Sequence, residues 1–98
     1  MSLPGYGVGM PSDKELIDRA YAAWLSYRDG RTDYPTLSAS TVEEIGGLTY
    51  VILRRGGQVV DIYRYKPATD NWRDTLKRMR YWPSPYPRNG GRRAAVAV

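Results

Sequence analysis

The chain of 98 residues has no cysteine, no histidine and no phenylalanine. Without Cys and His it has no thiolate or imidazole to ligate zinc, haem or an iron–sulfur cluster, and none of the usual nucleophile–base pairs of covalent catalysis. A disulfide framework of the kind that staples small secreted domains is equally excluded. Long apolar runs are missing too. No stretch approaches the ~18 apolar residues of a membrane span, and the opening MSLPGYGVGMPSDKE lacks the basic and apolar regions of a secretory leader. The expectation is a cytoplasmic protein without membrane, metal or cofactor. Because the aromatics are three Trp and nine Tyr, every large ring carries a polar atom that must reach water or a partner, which suits half-buried positions and interfaces.

Acidic residues are scarce in one half only. Residues 1–47 hold four Lys/Arg against seven Asp/Glu, whereas residues 48–98 hold eleven against three, within a net charge of +5. The C-terminal half is therefore the candidate footprint for an acidic partner. At this length one domain is expected.

The most structured stretch is LTYVILRRGGQVVDIYRYK, residues 48–66, in which two alternating β-type runs flank Gly56-Gly57. That pattern is the short-range signature of an antiparallel hairpin. A regular two-residue loop would place Val51, Leu53, Val60 and Ile62 on a core face, with Leu48, Tyr50, Ile52, Tyr63 and Tyr65, and with Arg54 and Asp61 among them, on the opposite one. Upstream, Ser12-Asp13-Lys14-Glu15 matches a capping box. The apolar spacing of Leu16, Ile17, Ala20, Tyr21, Ala23, Trp24 and Tyr27 then predicts an amphipathic helix over about residues 13–28, stopped by Gly30. A second capping pattern, Ser40-Thr41-Val42-Glu43, followed at once by Gly46-Gly47, predicts one or two helical turns leading into the hairpin. Residues 72–82 suit either a helix through Trp72, Leu76 and Met79 or a third strand by alternation. The strand is preferred because a lone hairpin is rarely stable. The expected fold is α+β: an N-terminal helix on a small antiparallel meander of two to three strands over residues 12–82. It is flanked by a flexible Gly/Pro-rich arm over 1–11 and a Pro/Arg-rich tail over 83–98, with polyproline geometry in Pro83-Ser84-Pro85-Tyr86-Pro87.

The segments Gly47-Leu48-Thr49-Tyr50-Val51, Val60, Ile62-Tyr63-Arg64 and Leu76-Lys77-Arg78-Met79-Arg80-Tyr81-Trp82-Pro83 resemble short uncharacterised basic proteins of actinobacteria and their phages. Those proteins carry a strand–turn–strand ending in Tyr-Arg and then a basic strand closing on Trp-Pro. The resemblance spans about a third of the chain, which departs from the pattern in a longer turn between Tyr65 and Leu76. It implies a small accessory or phage-borne protein and no inherited site residue.

The cations Arg54, Arg64, Lys66, Arg73, Lys77, Arg78 and Arg80, followed by Arg88, Arg92 and Arg93, are interleaved with Trp72, Tyr81, Trp82 and Tyr86. Guanidinium and ammonium groups neutralise phosphates while rings stack on unpaired bases, so this combination points to nucleic acid. Its bland counterpart is a solvated basic face. Tyr50, Tyr63 and Tyr65 resemble in outline an aromatic sheet platform for bases, without the RNP sequence pattern. The alternative is that the helix covers these rings. A winged-helix reading places Glu43 and Glu44 where phosphates would repel them. For enzymes, Asp61 with Glu43 or Glu44 offers a carboxylate pair that no spacing rule selects, and a surface carboxylate is the plainer role. Gly5, Gly7 and Gly9 follow no strand, and no Walker-type Gly-Lys-Ser/Thr is present. No catalytic residue is nominated. The expected function is non-enzymatic binding, nucleic acid first, with a protein-interaction module, a phage-type inhibitor or an assembly protein as the alternative, a second copy of the chain included.

Overall fold

The computed structural model describes residues 11–86. Most of both expected arms, with Arg88, Arg92 and Arg93, lies outside the described residues. Helix α1 spans Asp13–Tyr27 and begins as the capping pattern requires: Ser12 Oγ accepts the Glu15 N–H at 3.1 Å, with Asp13 and Glu15 in the first turn. Leu16, Ala20 and Trp24 recur every four residues along one stripe and are fully buried. The helix stops where Asp29 and Gly30 turn left-handed, with φ of 51° and 84°.

Four antiparallel strands follow in sequential order: β1 (Thr41–Ile45), β2 (Leu48–Arg55), β3 (Gln58–Lys66) and β4 (Thr75–Arg78). The fold is the expected α+β helix on a meander, with one strand more. That strand, β1, replaces the expected helical turn. Ser40 does not cap a helix; its buried hydroxyl donates to the Thr36 carbonyl and accepts the Arg54 N–H, extending the pairing along β2. Gly46 and Gly47, with φ of 60° and 82°, form the two-residue turn of a hairpin in which both central residues need positive φ. Residues 75–78 are strand, as preferred, and not helix.

The β2–β3 register departs from the expected one. Arg55 faces Gln58 and Arg54 faces Val59, but beyond a bulge Leu53 faces Asp61, Ile52 faces Ile62 and Val51 faces Tyr63. One extra residue on β3 exchanges the faces of everything after it. Val51, Leu53 and Val60 do share the core under α1, yet their companions are Tyr63 and Tyr65, while Ile62 lies on the far face. Alternation could not reveal the slip because both faces are apolar. The far face is covered by the chain after β4, where Trp82 packs with Tyr50, Ile52 and Ile62, and Met79 and Tyr86 join them. Residues 83–86 form a turn closed by Tyr86 N–H to the Pro83 carbonyl at 2.9 Å, in place of the extended polyproline run. That turn lets Tyr86 reach back across the sheet.

Candidate nucleic-acid interface

Among the described residues the sheet has two open edges, of opposite character. β1 carries Glu43 and Glu44, whereas β4 carries Lys77 and Arg78, with Arg80 just beyond it. Met79 N–H donates to the Ile62 carbonyl at 2.9 Å. By the alternation of an antiparallel ladder, Lys77 then bonds toward β3 while the N–H and C=O groups of Leu76 and Arg78 point outward. An open groove of about 770 Å³ wraps this edge, lined by Tyr27 and Asp61 on the helix side and by Lys66, Lys77, Arg78 and Arg80 among others.

The expected site residues divide by what holds them. Arg54 is spent on Glu43 (3.0 Å) and on the Tyr86 hydroxyl (3.0 Å), far from β4. Arg78 donates through Nε to Asp61 Oδ2 at 2.7 Å and lies over the Tyr27 ring. The bond to Asp61 pushes the Arg78 pKa up, so the guanidinium is held firmly charged. Arg64, Lys66 and Lys77 form no salt bridge among the described residues. Arg64 stands directly opposite Lys77, between it and Tyr50 across the sheet, and its Nε is buried without a hydrogen bond. Two like charges facing each other on neighbouring strands are destabilising.

The tyrosine platform is not assembled. Tyr63 and Tyr65 are buried beneath α1, while Tyr50 is buried on the far face. Burial first, and then the nearby Asp61 charge, raises the Tyr63 pKa. Tyr65 donates its hydroxyl to Asp74 at 2.9 Å, and Asp74, which also accepts from Arg19, has its pKa lowered chiefly by that arginine. Trp82 is likewise core. Of the rings expected in the site, those left in solvent are Trp72, 75% exposed, and Tyr81, 62% exposed, at positions bracketing β4 in the chain. Arg73 is exposed beside Trp72 in sequence.

Asp61 is not a surface carboxylate: it is 2% exposed and faces α1, whereas Glu43 lies toward the opposite face, bonded to Tyr86. Glu44 stands opposite Thr49, four residues along β2 from the Leu53 that faces Asp61 and with β2 between them, so neither carboxylate pair is formed. Among the described residues no cluster of metal-ligating side chains occurs, and no helix is long and apolar enough to cross a membrane. Nothing in the sequence marks Tyr27 as a wall of the groove or Asp61 as the partner of Arg78. Only the bulge puts Asp61 on the helix side, and periodicity gives no sign of it. No family model, curated protein or solved structure matches the chain.

Proposed function

We propose that the protein is a non-enzymatic binder of single-stranded nucleic acid that takes the strand along the open β4 edge. The observation that carries this reading is the Arg64–Lys77 pair, opposed across β3 and β4, with Lys66 two residues further along β3 on the same face and, among the described residues, no carboxylate bonded to any of the three. A row of phosphates supplies the missing negative charge. The outward N–H groups of Leu76 and Arg78 add neutral donors for phosphate oxygens. Trp72 and Tyr81 offer exposed ring faces for bases at either end of the row, and stacking is tolerant of sequence.

The test is a salt titration of a labelled homopolymeric oligonucleotide by fluorescence anisotropy, on wild type and on Arg64→Gln/Lys66→Gln/Lys77→Gln. Wild type is expected to bind at low salt, with the triple variant losing about two units of log–log salt slope, from ~0.7 per phosphate contact on a single strand. Absence of binding by wild type at low salt overturns the reading.

A second reading rests on the same edge. The unpaired backbone of β4 is a template for an extended acidic peptide added as a fifth strand. Binding that is lost when proline replaces Leu76, yet is indifferent to Trp72 and Tyr81, would favour this protein partner.

A further inference from the structure

Asp61 is a costly residue for the place it occupies. It sits at the rim of the helix-side core, 2% exposed, accepting the Ile62 N–H at 3.0 Å and the Arg78 Nε at 2.7 Å. Burying an ion pair returns little net stability, because desolvation offsets most of the attraction, and an apolar pair of similar volume would serve the core as well. Its negative charge also stands on the wall of a groove whose other charges are positive. By Coulomb's law alone it weakens the attraction of that groove for phosphate.

What the carboxylate does supply is orientation. Arg78 is held on one edge by Asp61 and on one face by the Tyr27 ring, 5.9 Å from its centroid, while 42% of its side chain stays exposed. A guanidinium has five donors in a fixed fork. With Nε committed to Asp61, the Nη pair is left for a ligand in the groove that both residues line. A fork immobilised in this way loses little freedom when it grips two oxygens of one phosphate, which a lysine cannot do.

We infer that Arg78 is a fixed, two-pronged phosphate grip on the helix-side wall of the groove and that Asp61 is its positioning residue. The inference rests on the nucleic-acid reading above and names one phosphate subsite within it, across the strand edge from Arg64, Lys66 and Lys77.

The two roles open to Asp61 predict opposite signs. If it acts only through its charge, Asp61→Asn tightens oligonucleotide binding; if it positions Arg78, the same change weakens binding although the protein becomes more positive. The experiment measures anisotropy of a labelled oligothymidylate with wild type, Asp61→Asn, Arg78→Lys and the double variant Asp61→Asn/Arg78→Gln, each checked for a cooperative thermal melt. Asp61→Asn and Arg78→Lys should each weaken binding several-fold with the salt slope unchanged, and the double variant should lose ~0.7 of a slope unit, one phosphate contact. Asparagine binding as tightly as wild type or tighter overturns the inference. If Asp61→Asn does not fold, Arg78→Lys decides: affinity equal to wild type overturns the two-pronged grip. Where wild type binds, the Arg64/Lys66/Lys77 variant loses binding and these variants change nothing, this subsite alone falls. Where wild type does not bind, both readings fall together.

Discussion

Tyr86 donates its hydroxyl to Glu43 Oε1 at 2.6 Å, joining residues 43 positions apart and fastening the chain after β4 to the β1 edge. Arg54 completes the clasp, donating to Glu43 Oε2 and to the Tyr86 hydroxyl with its guanidinium over the ring. The hydrogen bond from Tyr86, ahead of the others, lowers the Glu43 pKa. A depressed carboxylate adds stability that is present above its unfolded pKa and is lost as pH falls through the folded value. Tyr86→Phe should therefore cost about 1 kcal/mol at neutral pH. It should also flatten the decline in melting temperature that wild type shows as pH falls below Glu43's ordinary value of 4.5. Melts across an acid series check both.

At the alkaline end the sign reverses. Tyr63, Tyr65 and Tyr86 all have pKa values raised above the ordinary 10.0, each chiefly by burial. Their neutral forms stabilise the fold fully below that value, and the contribution is lost as pH rises through the folded values. Ultraviolet titration of tyrosinate should show a fraction that resists ionisation past pH 10.0 and appears together with loss of circular dichroism. Smooth ionisation of all the tyrosines while the fold persists would contradict the placement of Tyr63.

Tyr63 has a further consequence at neutral pH. Its hydroxyl is buried with no hydrogen-bond partner among the described residues, and an unsatisfied buried polar group costs about 1–3 kcal/mol. Tyr63→Phe removes that cost and keeps the ring against α1, so the variant should melt at or above the wild-type temperature. A clear drop would mean that the hydroxyl has a partner, such as an ordered water.

The tryptophans separate stability from binding. Trp82 is 8% exposed in the far-face core, so Trp82→Ala should cost about 3–5 kcal/mol. Trp72 is 75% exposed, so Trp72→Ala should leave the melt unchanged while weakening oligonucleotide binding by about 1–3 kcal/mol. Denaturant titration and anisotropy on the two variants measure the contrast.

Much of this architecture could be read directly. The Ser12 cap, the Leu16–Ala20–Trp24 stripe and the Gly56-Gly57 hairpin are local, and local chemistry decides them. The strand β1 was equally marked, since Gly46-Gly47 is the same dipeptide as Gly56-Gly57, but the capping pattern at Ser40 competes with it. Ser40 instead uses its hydroxyl to bridge Thr36 and Arg54, a contact 14 residues away in sequence that no local rule contains. In the basic segment, composition pointed to the cations and rings but could not sort them. Arg54 and Arg78 are paired, Trp82 and three tyrosines are core, and Arg64 faces Lys77, because of long-range register alone.

The bulge is the device behind that register, and deletion tests it. Val59 and Val60 are adjacent identical residues, so removing either gives the same chain. If β3 carries one surplus residue here, the deletion leaves Arg54 facing a valine, Leu53 facing Asp61 and Val51 facing Tyr63, with every later side chain on its present face. The expected loss is that of one buried valine, about 1.5–3 kcal/mol, with a cooperative melt retained. Deleting Tyr63 removes a residue beyond the bulge. That would bring Arg64 opposite Val51 beneath α1 and move Tyr65 out of the core, burying a charge where Leu16 and Trp24 now pack. No folded protein is expected from that deletion. Were the valine deletion the one that unfolds, β2 and β3 would be paired without a bulge, and Asp61 would not reach Arg78.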